Sequence, residues 1–399
     1  MPGLTKMKVA LVDPAGFTPP HDHCLADALG RQGCKVVLVT TRLPAGPWNS
    51  AKTYERWEHF YRVANRLKWK RLRTYAKGIE HPLDMARLLR CLRRWKPDVI
   101  HFQWLALAPV DQLFLRRLRK IAPLVLTVHD TEPFQGAPSS RLQVFGLQRA
   151  YKHFDRYIVH TQMSRQQLMR HIGVEESKVE VIPPGVYNYY QEYPSISTRP
   201  DQDIRHLQTP LRVLFFGVLK PYKGVDVLLE AFAKLPKRLL ERSELQIVGL
   251  PRIPVELLQL LARQLGVEDR VSWDLRFVDE PEVASYFEQA DVVVLPYRRI
   301  DQSGVLMVAL AFGKPVVASR VGGFAEVLSD GVHGFLVEPG DPNALASALA
   351  TVLGDDVLRN RMARAVQALS SGELSWKSIA RRTMELYQEV LSDAPRVCG

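Results

Sequence analysis

Four cysteines in 399 residues, Cys24, Cys34, Cys91 and Cys398, lie far apart and form no Cys-x-x-Cys pair. That spacing excludes a zinc ribbon or a disulfide framework and fits a reducing cytosol. No apolar run approaches the ~20 residues that a spanning helix needs. His-Glu-x-x-His, Gly-x-Ser-x-Gly and the Walker lysine loop are all missing, which removes metalloprotease, α/β-hydrolase and P-loop readings. The first strand pattern leads into Asp13-Pro14-Ala15-Gly16-Phe17 instead of Gly-x-Gly-x-x-Gly, which counts against a dinucleotide oxidoreductase. Repeats at a solenoid period and low-complexity tracts are also lacking. Met1 to Lys6 runs straight into a strand pattern, so no signal peptide is expected.

Acidic residues are in deficit, 42 against 54 lysines and arginines, for a formal net charge of +12. The surplus is local. Between Lys52 and Lys96 fourteen basic side chains face four acidic ones, with Trp57, Tyr61, Trp69 and Tyr75 interleaved. Arg116, Arg117, Arg119 and Lys120 form a second cluster. Such a face attracts anionic lipid or a phosphorylated acceptor, or is a solvated helical surface; nucleic acid is not expected as a partner. The apolar fraction of 46% and charged fraction of 24% are ordinary for a globular protein, and the length suggests two domains.

The chain alternates short apolar runs with amphipathic stretches. Residues 8–12, 35–40, 99–102, 124–128, 156–160 and 179–182 read as strands, with a helix over 22–32 between the first two. Nearly continuous apolar strands in β–loop–α order predict a parallel, doubly wound α/β sheet. Residues 52–96 are expected to interrupt that order as a basic, aromatic-rich insertion within a first domain of residues 1–190. Residues 191–210, rich in Tyr, Pro, Ser, Asp and Gln, read as a linker. The alternation restarts at Arg212 and gives a second domain over 211–375, with strands near 212–217, 245–249, 271–273 and 291–296. A last helix begins at Trp376. Two such domains are expected to face a central cleft between the carboxyl ends of their strands, where ligands bind.

Three segments carry chemistry. Gly217-Val218-Leu219-Lys220-Pro221-Tyr222-Lys223-Gly224 sits between a strand and a helix. Its lysines offer point charges for phosphate oxygens, and Gly217 permits close backbone approach; otherwise it is a solvated basic connector. Gln302-Ser303-Gly304-Val305 opens an apolar helix, with Ser303 as N-cap and unpaired N–H groups suited to an anion. Asp301 lies beside the sugar ring or only solvates this loop. Val321-Gly322-Gly323-Phe324-Ala325-Glu326 is a second Gly-rich loop approaching phosphate or sugar; Glu326 accepts from a sugar hydroxyl or only favours the first helical turn. His129, at the end of a buried strand, reaches a ligand or is satisfied locally, and His101 and His160 share that ambiguity.

Together these segments resemble a GT-B glycosyltransferase of the family 4 type over nearly the whole chain. The likeness is strongest from Leu214 to Pro339. It rests on Phe216-Gly217 to Lys223-Gly224, Ala290 to Pro296, Gly313-Lys314-Pro315, Val321-Gly322-Gly323, Gly331-x-x-Gly334-Phe335, Val181-Ile182-Pro183-Pro184-Gly185 and Thr127-Val128-His129-Asp130. Two departures stand out. Val218 occupies the place of the family's arginine, and Lys220 is a candidate to supply that charge. The family's two glutamates separated by seven residues are missing: their places fall on Asp301 and Val308, in a loop one residue short. The chain is similar to a subset with a Gln-Ser-Gly loop instead.

The resemblance implies a hexosyltransferase-type enzyme that moves a sugar from a UDP- or GDP-linked donor to a glycan, lipid-linked or other conjugate acceptor, in polysaccharide or glycoconjugate biosynthesis. Gly16, Gly217, Lys220, Lys223, Gln302, Ser303, Gly304, Val305 and Glu326 are expected to bind donor, and His129 and Asp301 to serve catalysis. No cofactor or metal is expected. Residues 376–399 are expected to cross back to the first domain. The enzyme is expected in the cytoplasm, peripheral to the inner membrane face through residues 52–96. A non-catalytic sugar-nucleotide-binding protein, or an epimerase on the same fold, is the alternative.

Overall fold

The computed structural model describes residues 6–44, 46–50, 53–131, 146–193 and 210–393. The chain divides into two compact units, Met1–Gly185 with Trp376–Gly399, and Val186–Ser375.

The first unit runs β1 (Lys8–Asp13), α1 (Pro19–Arg31), β2 (Lys35–Thr41), β3 (Glu55–Phe60), α2 (Lys70–Trp95), β4 (Val99–Phe102), α3 (Ala108–Leu118), β5 (Leu124–Val128), α4 (Leu147–Tyr151), β6 (Arg156–Val159), α5 (Gln162–Ile172) and β7 (Val179–Val181). Its seven strands lie in the order β3-β2-β1-β4-β5-β6-β7, and all pairs are parallel. Val9 to Val12 and Val36 to Val39 are buried without alternation, because helices cover both faces of a parallel sheet. Helix α1 starts at Pro19, three residues before the expected Asp22. Pro19 and Pro20 supply the fixed φ and missing N–H that suit a first turn.

Of the expected insertion, residues 53–96 do not interrupt this alternation; they complete it. Glu55-Arg56-Trp57-Glu58-His59-Phe60 pairs with β2 as the edge strand. It escapes a search for apolar runs because only His59 and Phe60 are buried. Met85, Leu88, Leu89 and Leu92 of α2 then pack into the core beneath it. Buried polar groups lock the β3–α2 crossover. Glu80 accepts from the N–H groups of Val63 and Ala64 at 2.9 and 2.8 Å, and Asp84 from that of Tyr61 at 2.8 Å. His81 bridges the Tyr61 hydroxyl (2.9 Å) and the Asp111 carboxylate (2.7 Å).

The second unit runs β8 (Leu211–Phe216), α6 (Val225–Ala233), α7 (Lys237–Glu241), β9 (Ser243–Val248), α8 (Val255–Gln264), β10 (Val271–Asp274), α9 (Glu280–Gln289), β11 (Val292–Leu295), α10 (Gly304–Ala311), β12 (Val316–Ser319), α11 (Gly322–Val327), β13 (Gly334–Val337), α12 (Pro342–Gly354) and α13 (Asp356–Ser371). Its parallel sheet has the order β10-β9-β8-β11-β12-β13. Both sheets are therefore doubly wound about their first strand, with the switch point beside β1 and β8. Most of the expected linker, residues 194–209, lies outside the described residues. Before it, Asn188–Glu192 form a 3-10 turn with Tyr189 and Tyr190 buried.

The last helix, α14 (Trp376–Asp393), packs on the first unit. The Tyr387 hydroxyl meets His101 Nδ1 at 2.6 Å, and Gln32 Nε2 donates to the Lys377 carbonyl at 2.8 Å. A side chain at Gly185 would meet the Trp376 ring at 2.6 Å, so glycine is required there. Among the described residues no helix is long and apolar enough to cross a membrane.

Candidate active site

In the second unit the carboxyl end of β8 turns at Gly217, whose φ is +113°. The chain then passes Lys220 and a 3-10 turn, Pro221–Lys223, to the start of α6. Lys223 folds back over this turn. A Cβ built on Gly217 would lie 2.9 Å from Lys223 Nζ and 3.2 Å from Val305 Cγ2. Glycine is thus what lets the ammonium occupy that place. Lys223 is buried, and its ammonium lies 4.9 Å from the centre of the Tyr297 ring. Burial, with Lys220 nearby, lowers its pKa to about 8. Among the described residues no carboxylate offsets it. A buried cation without a counter-charge is costly, and an arriving anion removes the cost.

The facing wall is the start of α10. Ser303 caps it, its Oγ accepting from the Leu306 N–H at 3.4 Å. Gly304 is exposed, and a Cβ there would meet Tyr187 at 3.4 Å. The Nε2 of Gln302 is buried and has no hydrogen-bond partner among the described residues. These groups line one cavity of about 410 Å³ with Tyr187, Tyr190, Phe216, Gly217, Val218, Lys220, Tyr222, Lys223 and Val308. Its size suits a small organic ligand. The sequence left the tyrosines out, because Tyr187 and Tyr190 stood at the edge of a polar stretch that reads as a linker. Apolar Val218 and Val308 both face the cavity.

The second Gly-rich loop has a different duty. A Cβ on Gly322 would sit 1.7 Å from the Ile300 carbonyl oxygen, and one on Gly323 2.7 Å from Gln302 Nε2. The Gly323 N–H donates to the Asp301 carbonyl at 3.1 Å. Both glycines let the Ile300–Gln302 segment pack against them. Helix α11 has six residues, and Glu326 is exposed on it, outside the cavity lining. Asp301 is half-buried at the turn and is also outside that lining.

In the first unit, Asp13 ends β1 and gathers the next loop. Its carboxylate accepts from the N–H groups of Ala15, Gly16, Phe17 and Thr18 at 3.2, 3.0, 2.6 and 3.3 Å. The Gly16 amide is therefore committed to Asp13. Its φ of +64° and a Leu43 carbon 2.7 Å from a built Cβ account for the glycine. Asp22 lies against Asp13, and burial followed by that neighbour raises its pKa well above the usual carboxylate range. A protonated Asp22 can donate to the carboxylate that organises the loop.

His129 follows β5 in a ring of polar and aromatic side chains. Its Nε2 meets Gln103 Oε1 at 3.2 Å, and its Nδ1 meets His160 Nε2 at 3.0 Å. Trp104 stacks on it, ring centres 5.2 Å apart, and His21 stands edge-on at 4.8 Å. His160 Nδ1 donates to the Ile182 carbonyl at 2.9 Å. Burial holds the His160 pKa at about 4 and that of His129 well below the ordinary histidine value. Side chains, not backbone, meet both ring nitrogens of His129. His101 is buried between Tyr387 and Thr127, 2.7 Å from the Thr127 hydroxyl. The ligating nitrogens of His21, His129 and His160 lie within 4.8 Å of one another, so these are the residues able to gather around a metal ion among those described.

Residues 198–368 match the family Glycosyl transferases group 1, and residues 23–187 match Glycosyltransferase Family 4. The chain is 32% identical over 315 residues to the D-inositol 3-phosphate glycosyltransferase of Corynebacterium glutamicum (strain R), covering 74% of this chain and 73% of that one. It is 30% identical over 313 residues to the enzyme of the same name from Xylanimonas cellulosilytica, covering 75% and 73%. Among solved structures, a glycosyltransferase from Rickettsia africae ESF-5 superposes with a TM-score of 0.69 at 17% identity, covering 98% and 100% of the two chains. Anabaena Alr3699/HepE in complex with UDP gives 0.69 at 21% identity, covering 96% and 100%. The chain belongs to the group 1, family 4 type of GT-B glycosyltransferases, and is a glycosyltransferase.

Proposed function

We propose that this glycosyltransferase takes a nucleotide-sugar donor, UDP- or GDP-linked, and passes its sugar to a glycan, lipid-linked or other conjugate acceptor. The observation that carries the donor class is the buried Lys223 ammonium, uncompensated by any described carboxylate, in one cavity with the start of α10. Gln302 lines the same cavity, and its Nε2 has no partner among the described residues. A diphosphate supplies two negative groups and many acceptor oxygens, which this set matches. The Anabaena protein of like fold holds UDP in its crystal, in keeping with that reading.

In the transfer, the bond between the anomeric carbon and the diphosphate oxygen breaks. A new bond forms from the anomeric carbon to an acceptor oxygen, and that oxygen's proton passes to the departing diphosphate or to water. Negative charge grows on the departing diphosphate. Lys223, Lys220 and the N–H groups at Ser303, Gly304 and Val305 stabilise it, more in the transition state than before it. Gly217 keeps the lysine in place. Asp301 and Glu326, outside the cavity lining, serve donor hydroxyls beyond the diphosphate, and His129 serves the transferred sugar. Charge from lysines and a helix terminus does the work a metal would otherwise do. Undiminished turnover in excess chelator is the check on that point.

Polysaccharide or glycoconjugate biosynthesis, in the cytoplasm at the inner membrane face, is the setting this reading favours. Lys223→Ala is the decisive variant. Release of UDP or GDP from a nucleotide-sugar should fall by orders of magnitude, and wild-type release from that variant would refute the role.

A further inference from the structure

Helix α2 is 26 residues long, and its first half touches the first unit only along one side, where Ala76 packs on the core and Lys77 lies over the Tyr61 ring, 4.8 Å from its centre. No residue from Asn65 to Ile79 is buried, whereas Glu80, His81, Asp84, Met85, Leu88, Leu89 and Leu92 are. Ten residues at 1.5 Å each make an overhang of about 15 Å.

The overhang is apolar on one side. Trp69, Leu72, Tyr75, Ile79 and Leu83 are 74, 54, 74, 73 and 56% exposed. At 100° per residue they share an arc of roughly 120°, on the side opposite Met85, Leu88 and Leu92. Helix α2 thus has two apolar faces, one against the sheet and one against solvent. Exposed apolar side chains in a continuous stripe mark an interaction surface. The same segment carries seven lysines and arginines and no acidic residue between Tyr61 and Ile79. That charge repels a second copy of the same face and attracts an anionic one.

We propose that the amino-terminal half of α2 lies in the interface of an anionic lipid bilayer, with Trp69, Leu72, Tyr75, Ile79 and Leu83 among the acyl-chain ends and the lysines and arginines at the headgroups. This arrangement is that of an in-plane amphipathic anchor, in which buried apolar area and headgroup attraction add. Topology extends the proposal to the acceptor. In a parallel sheet the helix that follows a strand begins at that strand's carboxyl end, so the overhang stands at the edge where Gly16, Gln103, His129 and His160 follow β1, β4, β5 and β6. An anchor there brings this edge to the lipid headgroups. The acceptor is accordingly a membrane lipid or a lipid-linked glycan. This rests on the glycosyl transfer proposed above and narrows its acceptor.

The test uses the full chain and the double variant W69E/I79E in flotation with vesicles of phosphatidylcholine, with and without about 30 mol% phosphatidylglycerol. Both side chains are exposed, so the variant should keep the wild-type melting temperature. Wild type should float with anionic vesicles only, and less as salt rises. W69E/I79E should bind at least about tenfold more weakly. With a sugar-labelled donor, label should enter an organic-extractable product when total lipid extract is supplied, and W69E/I79E should lose that product. Equal flotation of the two proteins overturns the anchor, as does a wild-type dimer that W69E/I79E dissolves, or capture of an acidic protein through this face. Equal labelling by both proteins of a soluble phosphorylated polyol only, with no lipid product, overturns the acceptor class. The glycosyl-transfer reading is judged separately, by whether UDP or GDP raises the melting temperature of wild type and W69E/I79E alike.

Discussion

A Cβ on Gly217 would come within 2.9 Å of the Lys223 ammonium. The glycine and the lysine are six residues apart in sequence, yet one makes room for the other. Gly217→Ala should therefore displace the ammonium from the cavity. The positive φ adds backbone strain of about 1–2 kcal/mol. We expect a folded protein with a lowered melting temperature and an affinity for UDP or GDP at least about tenfold weaker by calorimetry. Unchanged affinity would show that the position of Lys223 does not matter to the ligand.

Lys223 ties the stability of the fold to pH. Its pKa is lowered to about 8 in the folded protein, against 10.5 for an unhindered lysine. Between those values the unfolded chain binds more protons, so this group makes stability rise with pH across that window. Below pH 8 both states are charged and the full cost of burying the ammonium is felt. Lys223→Met should then stabilise the ligand-free protein at pH 7 by on the order of 1–3 kcal/mol. The same variant should abolish the melting-temperature increase that a nucleotide brings. In wild type, nucleotide affinity should weaken as pH climbs through 8, because the anion loses its charged partner. Urea titrations at pH 7 and pH 10, with and without nucleotide, read both effects.

Asp13 and Asp22 make a second pH prediction of opposite direction. Burial raises both carboxyls, Asp22 well above 3.8. The folded state holds its proton where the unfolded chain has released it, so this contribution is fully present below pH 3.8 and is lost as pH rises through the folded value. Asp22→Asn keeps a hydrogen-bond donor toward Asp13 and cannot ionise. Its stability relative to wild type should grow with pH between 4 and 8, reaching on the order of 1 kcal/mol. A constant difference across that range would mean Asp22 does not carry the proton.

His129 is held by Gln103, His160 and Trp104 in the first unit, whereas the cavity around Lys223 belongs to the second. Removing its ring should spare nucleotide binding and impair transfer. His129→Ala should keep the UDP or GDP affinity of wild type within a factor of about two, while turnover falls about 10²–10⁴-fold. Equal losses in binding and turnover would assign the ring to the nucleotide instead.

Much of this was legible in the sequence where chemistry is local. Buried strands such as Lys35–Thr41 announce themselves as apolar runs, and Ser303 reads as the cap it proves to be. Strand β3 did not, because an edge strand buries little and Glu55 to Glu58 look like loop. The service of Gly322 and Gly323 to the Ile300–Gln302 segment was equally hidden. It arises from contact between pieces of chain some twenty residues apart, which motif spacing does not encode. His21, Gln103, Trp104, His129 and His160 meet only because the sheet order places the ends of β1, β4, β5 and β6 side by side. The solvent-facing stripe of α2 was half visible: its charge was plain in the sequence, but which of its apolar residues stay uncovered depends on where the sheet ends.

The most direct measurement is a crystal structure of the protein soaked with UDP and, separately, with GDP. The diphosphate should lie within about 3 Å of Lys223 Nζ, with an oxygen accepting from the N–H groups at the start of α10. Density for either nucleotide at another site, with the cavity between Gly217 and Gly304 left to solvent, would contradict that placement.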